Sequence, residues 1–318
     1  MKLHLSNYQH LIEQGLVKES VDAEKGLVTL KYARKVFYKN LWHVDDLLLE
    51  ARGHVFDMST GELVQRPFKK VFNLGENGAG DFLSDTDYVM LVEKVNGFMA
   101  ALTFLEDGTP LVSTTGSTKS DYATLAQKVL QDNGIIQAAA EVFSSTHKFL
   151  TFMFEICDPS DPHIVKEDYG AHFIGVIAKH EGCQMPATVL RRSSSEMKKA
   201  GATMHFPSYT TLSFETAKQM VSEARTEGFM VLSPLTEDVI CKVKTPHYLA
   251  KKFLMRMNFR RAQEMMNNPE KFKQTIDEEF YELIDYLTSD LYIETHRKPF
   301  SELSEQERRE MIESYFQQ

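Results

Sequence analysis

The residues of this chain best suited to chemistry are amines. Lys94 lies in Glu93-Lys94-Val95-Asn96-Gly97, between apolar runs at 88–92 and 98–105 that both read as buried strands. Asn96-Gly97 supplies residues suited to a left-handed turn, so the lysine sits at a strand end and faces a cleft. Desolvation there disfavours the ammonium and neighbouring cations push the same way, which makes a neutral, attacking amine available near pH 7. On these residues alone the plainer reading prevails, an exposed lysine beside a hairpin turn, because Lys-x-Asn-Gly is short and Asn-Gly turns are common.

Two further amines share a strand. In Val239-Ile240-Cys241-Lys242-Val243-Lys244 the alternation turns Val239, Cys241 and Val243 to one face and Lys242 and Lys244 to the other, about 7 Å apart. Like charges held that close require an anion, and a triphosphate is the natural one. Within 150–156, Glu155 falls with Thr151 and Met153, opposite Leu150, Phe152, Phe154 and Ile156. It is either a carboxylate aimed at a site or a solvent-facing strand residue.

These groups need elements to hold them: residues 1–22 read as a short amphipathic helix leading into a strand at 26–32. Short strands punctuated by Gly turns follow to about 245, with helices near 121–142 and 214–226. After Pro246 the chain is charged, poor in β-branched residues and helical in period, broken at Asn268-Pro269. Between Lys242 and Arg261 stand seven Lys or Arg and no acid, followed by an acidic stretch from Asp277 to Asp290. On one helix Lys252, Arg256 and Arg260 would form a stripe, suited to RNA phosphates and equally to a solvated face.

Composition bounds the function. With 318 residues, 42% hydrophobic and 25% charged, the chain can bury a core of one large domain and a small one. A net charge of −9 argues against a general electrostatic clamp for nucleic acid, although the segregation of charge weakens that objection. Three cysteines, Cys157, Cys183 and Cys241, lack metal or disulfide spacing and fit a reducing cytoplasm. No stretch suggests a signal peptide or a membrane span, so the expectation is a soluble cytoplasmic protein. Zinc motifs, a P-loop, a dinucleotide fingerprint and a serine-hydrolase elbow are absent from the sequence.

Four segments stand in order around Lys94: Ala51-Arg52-Gly53-His54-Val55-Phe56-Asp57, Arg66-Pro67-Phe68-Lys69-Lys70-Val71-Phe72-Asn73, Phe152-Met153-Phe154-Glu155, and Thr226-Glu227-Gly228-Phe229 with Cys241-Lys242-Val243-Lys244. Together they make the chain resemble the ATP-dependent RNA ligases of phages, the RNA ligase 1 family of the covalent nucleotidyltransferase superfamily. The resemblance spans roughly residues 28 to 275. It implies an α+β fold: a nucleotidyltransferase (ATP-grasp-like ligase) domain of antiparallel sheets flanked by helices over 1–246, then a small all-α domain over 247–318. It also implies a three-step reaction. Lys94 takes AMP from ATP, the AMP passes to an RNA 5′-phosphate, and a 3′-hydroxyl displaces it to seal the strand.

By the same resemblance Lys242 and Lys244 are catalytic and orient the α-phosphate. Tyr32, Arg52, Lys70, Phe72, Gly97, Lys119, Glu155, Glu227 and Tyr248 contact the nucleotide, and Glu227 and Glu282 hold Mg²⁺ or Mn²⁺. The implied partner is single-stranded or broken RNA, with a tRNA anticodon loop in RNA repair as the narrower expectation. The implied protein is a monomer that works in a host cytoplasm if phage-encoded. Asn96 departs from the Asp that many members carry there, and the helical tail is shorter than in the best-known members. A DNA ligase or capping guanylyltransferase uses the same lysine but usually carries a C-terminal β-barrel, and an inactive nucleotide- or RNA-binding relative would not need Lys94, Glu227, Lys242 and Lys244 together.

Overall fold

The computed structural model describes residues 3–317. Three four-stranded antiparallel sheets carry the fold, followed by a C-terminal helical region. The strands, in chain order, are β1 (Val17–Asp22), β2 (Leu27–Tyr32), β3 (Arg52–Asp57), β4 (Leu63–Gln65), β5 (Tyr88–Lys94), β6 (Phe98–Phe104), β7 (Pro110–Thr114), β8 (Leu150–Cys157), β9 (Gly170–Ala178), β10 (Tyr209–Ser213), β11 (Gly228–Leu232) and β12 (Val239–Lys244). The first sheet has the order β1-β2-β3-β4, the second β10-β5-β11-β12 and the third β7-β6-β8-β9.

The expected helix over 1–22 is only partly present, and residues 1 and 2 lie outside the described residues. Helical turns at Leu5–Tyr8 and Gln9–Glu13 end before Gly15, whose φ of 64° a helix cannot continue through. The chain then forms β1, which pairs with β2 along its whole length from Val17↔Tyr32 to Asp22↔Leu27. Tyr8, Leu11, Trp42, Leu48 and Phe56 fill the core beneath this sheet.

The two strands that flank Lys94 do not form a hairpin. β5 belongs to the second sheet and β6 to the third, so 95–97 is a crossover between sheets. Positive φ occurs at Asn40, Asn77, Glu237 and Arg297 among non-glycine residues, and neither Asn96 nor Gly97 adopts it. The expected left-handed turn is therefore absent, because two strands that diverge into different sheets need no reversal. Gly97 is required for another reason: a Cβ there would stand 2.9 Å from Cys157 Sγ and 3.0 Å from Glu155 Cγ, and closer still to the Ile156 carbonyl. The glycine lets the crossover lie against β8.

Each sheet buries one face in its own core. Phe152, Phe154 and Ile156 of β8 pack with Phe173 of β9 under the helices Asp121–Asp132, Ile135–Val142 and Ala187–Lys199. The opposite alternation leaves Met153 with Ala101 and Ile177 on the other face, and Glu155 follows it there. In the second sheet Val89, Leu91, Phe229, Val231 and Cys241 pack under the helix Phe214–Glu223. Phe253, Phe272, Phe280, Leu287, Tyr292 and Phe300 form the core of the helical region that begins at Pro246. No helix among the described residues is long and apolar enough to cross a membrane.

The Gly97→Ala variant tests the crossover. The added methyl has no room to yield against backbone, so it should destabilise the fold by about 1–3 kcal/mol, read as a lower urea midpoint at unchanged slope. A wild-type midpoint would mean that the 95–97 segment shifts freely.

Candidate active site

The register of the second sheet aims the lysines. Lys94 pairs with Gly228, and Gly228 with Lys244, while one row back Val92 pairs with Met230 and Met230 with Lys242. Directly opposed residues share a sheet face, so all three amines leave the face turned away from the Leu91, Val231 and Cys241 core. Gly228 keeps the centre of the row clear; a Cβ there would stand 2.8 Å from Lys244 Cα and closer still to the Val243 carbonyl.

Glu227, only 4% exposed, meets Lys94 with Oε1 2.8 Å from Nζ. Asn96 fixes this carboxylate by donating Nδ2 to Glu227 Oε2 at 3.0 Å, while its own Oδ1 accepts from Val165 N at 3.0 Å. The Asn96 backbone N–H donates to Glu167 Oε1 at 3.0 Å, and the Gly97 N–H to Glu155 Oε1 at 3.3 Å. Burial works against the Lys94 ammonium, but Glu227 and then Glu155 outweigh it and hold the pKa above the ordinary lysine value. This overturns the expectation of neighbouring cations that neutralise the amine: carboxylates surround Lys94, so in the free protein it is an ion-paired ammonium. Burial pushes Glu155 up to about 7, with Lys94 opposing and Glu227 adding to the rise.

A second group of charges lies beside the first. Lys70, 7% exposed, donates to Glu278 Oε1 at 2.6 Å and sits over the rings of Trp42 and Phe72 at 5.1 and 5.2 Å. Lys244 pairs with Glu279, whose other oxygen is 2.7 Å from Lys252; Lys252 also lies 2.9 Å from Asp277, and Arg256 2.7 Å from it. Tyr248 lies under Lys244 and Lys252, each 5.6 Å from its ring. Lys242 has no carboxylate within 4 Å among the described residues. Burial, with Lys70 and Lys244 as like-charged neighbours, lowers it to about 7. Burial also lowers Lys244, with Glu279 opposing.

The basic stripe expected along one helix does not form. The helix Pro246–Met255 ends at Arg256, and Asn258 caps a new helix, Phe259–Asn267, that carries Arg260. Lys252 and Arg256 are committed to Asp277 and Glu279, and Arg260, 87% exposed, to Glu264 in its own helix. The basic and acidic stretches, separate in sequence, meet in the fold and neutralise each other.

The remaining expected residues fall in three places. Phe72 stacks edge-on with Trp42, which meets Tyr32 in the same way at 4.9 Å, so Tyr32 reaches the Lys70 group through the tryptophan. Arg52 donates to the Phe68 carbonyl and to Met99 Sδ, close enough to Glu155 to oppose its pKa rise. Lys119 is exposed on the loop after β7, and Glu282 is exposed on the helix Tyr281–Thr288; neither pairs with the clustered charges. Glu76 does so, 3.9 Å from Lys70, and so do Asp277, Glu278 and Glu279, a few residues before Glu282. Sequence reading passed over Asp277, Glu278 and Glu279, and over Trp42 and Glu167. The single tryptophan beside an aromatic-rich segment was an available signal for Trp42. The carboxylates gave none, since only the docking of the helical region identifies their partners.

The family model described as RNA ligase, of the RNA ligase 1 type, matches residues 50–276. The chain belongs to this RNA ligase family. A search of curated proteins returned no significant match. Among solved structures the chain is similar to archaeal ATP-dependent RNA ligase in two forms, with TM-scores of 0.57 and 0.56 and identities of 17% and 16%. The match covers 98% of this chain in both cases, and 77% and 76% of the other. At that identity the likeness is one of fold.

Lys242 provides a test of the electrostatics. At pH 8 an amine that titrates at about 7 is mostly neutral. A nucleoside triphosphate drawn to the lysines favours the ammonium, so binding should take up as much as about one proton. Calorimetry in two buffers of different ionisation enthalpy should show this uptake in the wild type and not in Lys242→Met. Equal buffer dependence of the two would mean that the polyanion lies elsewhere.

Proposed function

We propose that this chain is an ATP-dependent RNA ligase that joins 5′-phosphate and 3′-hydroxyl RNA ends through lysyl-AMP and an adenylated RNA. The observation that carries the reading is one row of a sheet in which Lys94, ion-paired with the buried Glu227, faces Lys244 across Gly228, with Lys242 one row back. In the first step Lys94 Nζ bonds to the α-phosphorus, the bond to the β-phosphate oxygen breaks, and pyrophosphate leaves. Glu227, 2.8 Å from Nζ, is within reach of the proton that the amine must lose. Lys242 and Lys244 stabilise charge on the phosphates. Lys70, Phe72, Tyr32, Arg52 and Tyr248 surround the nucleotide, and Glu155 serves the later steps.

Among the described residues no three His, Cys, Asp or Glu side chains group to hold a metal ion. Mg²⁺ or Mn²⁺ would then be held by one or two carboxylates together with substrate phosphates, and Glu227, the buried carboxylate beside Lys94, is the protein's own candidate. Such a cation, when bound, neutralises the phosphate oxygens. The narrower reading, repair of broken RNA such as a cleaved tRNA anticodon loop, follows from the resemblance to phage ligases and is part of the same proposal.

Incubation with labelled ATP and Mg²⁺ should give an acid-labile adduct, and mass spectrometry should locate AMP on Lys94. Lys94→Ala should abolish it. Lys242→Ala or Lys244→Ala each removes about 2.7–4 kcal/mol of transition-state stabilisation, which slows adduct formation by about two to three orders of magnitude. An adduct on Lys94→Ala, or one formed from GTP and not ATP, would overturn the assignment.

A further inference from the structure

Outside the lysine cleft, one open groove of about 490 Å³ combines cations with rings: Arg191, Lys198 and Lys199 of the helix Ala187–Lys199 line it with Ser195 and Phe206. Phe206 and Tyr209 stack with centroids 5.5 Å apart and planes 17° from parallel. The Arg191 guanidinium lies over both, 5.8 Å from the first ring and 5.4 Å from the second. A guanidinium held over rings is oriented without losing its N–H donors, which keeps it available for a bidentate phosphate contact.

Two of the groove's cations are unpaired, whereas Lys252 and Arg256 of the helical region are committed to Asp277 and Glu279. Arg191, Arg192 and Lys198 have no carboxylate within 4 Å among the described residues, and only Lys199 is paired, with Glu196 at 2.8 Å. Of the acids nearby, Glu237 is engaged with the Ala187 N–H at the start of the helix, and Glu93 accepts from Ser208 Oγ at 3.1 Å. Position adds a second argument. His205 bridges to His172 on β9, and Tyr209 pairs with Val92, two residues before Lys94. The ring pair therefore spans from the edge of the third sheet to the edge of the second. Tyr209 projects from the same face as Lys94, with Cα atoms about 8 Å apart by strand geometry.

We propose that this groove binds single-stranded RNA on its way to Lys94, with Arg191 and Lys198 on its phosphates and the Phe206/Tyr209 pair as a stacking surface for a base. The inference rests on the reading of the chain as an RNA ligase and moves the RNA contact from the 252–260 segment to the opposite side of the cleft. Phe206 and Tyr209 are half-buried, each with part of its ring accessible, and cations that follow a backbone beside aromatic rings are the recurring design for a single strand bound without sequence preference.

The test is the double reversal Arg191→Glu with Lys198→Glu, measured three ways. Lysyl-AMP formation uses no RNA and reports that the fold survives. Fluorescence anisotropy of a short 5′-phosphorylated single-stranded RNA should show at least about tenfold weaker binding at low salt. The log–log salt slope should be shallower by about 1.4, for two lost contacts at about 0.7 each. Sealing of pre-adenylated RNA should fall in parallel. Arg260→Glu with Arg309→Glu, the latter an exposed residue of the helix Glu305–Gln317, changes net charge equally and should leave RNA affinity within about twofold. Should the reversal fail to form lysyl-AMP, Arg191→Gln with Lys198→Gln replaces it, with the same expectations at a smaller affinity loss. Unchanged affinity and slope, or an equal loss in the 260/309 control, overturns the groove and leaves the ligase reading standing. A wild type that forms lysyl-AMP yet neither binds nor joins RNA overturns the ligase reading, and the groove with it.

Discussion

Like-charge crowding is the constraint on which this structure depends. Lys70, Lys242, Lys244 and Lys252 converge beside Lys94, and each added ammonium raises the cost of burying the rest. The protein meets that cost with Asp277, Glu278 and Glu279 from the helical region. Burial disfavours the Glu279 carboxylate, but Lys244 and Lys252 hold its pKa below the ordinary range. The same contacts join the helical region to the sheets. Lys242, which has no carboxylate within 4 Å among the described residues, is lowered to about 7 by burial and by Lys70 and Lys244.

Around Lys94 the balance is reversed, since two carboxylates attend one amine. Asn96 makes this arrangement specific. Its amide donates to Glu227 while its carbonyl oxygen holds the Val165 N–H, so it uses both halves of a neutral side chain. An aspartate in the same pose could accept from Val165 but would set a second carboxylate 3.0 Å from Glu227 Oε2. Two anions that close resist joint ionisation. In this chain the asparagine therefore suits a Glu227 that pairs with Lys94 directly.

Local pattern made much of this legible. The alternation in 239–244 correctly sent Lys242 and Lys244 away from the Cys241 core, and the alternation around Glu155 put it with Met153, because a strand with one buried face aims its side chains by parity alone. The helices read near 121–142 and 214–226 stand at Asp121–Asp132, Ile135–Val142 and Phe214–Glu223, and the antiparallel α+β architecture is the one the family resemblance implied. What failed was anything set by long-range pairing. Lys94 followed by Asn-Gly has the local form of a hairpin, yet β5 finds β10 and β11 while β6 finds β7 and β8, and no local signal reports those partners. The basic run after Lys242 likewise invites an external polyanion until the acids about 20 residues later fold onto it.

That internal pairing bears on how the cleft meets a substrate. Lys70 and Lys244 are engaged with Glu278 and Glu279, so a triphosphate and these carboxylates compete for the same donors. Were phosphates to take the lysines while the acids stayed, two sets of negative charge would face each other within a few ångströms, and like charges that close repel. An anion held by these lysines would call for either a cation between the two sets of oxygens or a shift of the 277–279 turn. Because that turn is part of the helical region's own core through Phe280, neither change is confined to the turn. The lysines of the cleft and the packing of the helical region thus depend on one set of charges.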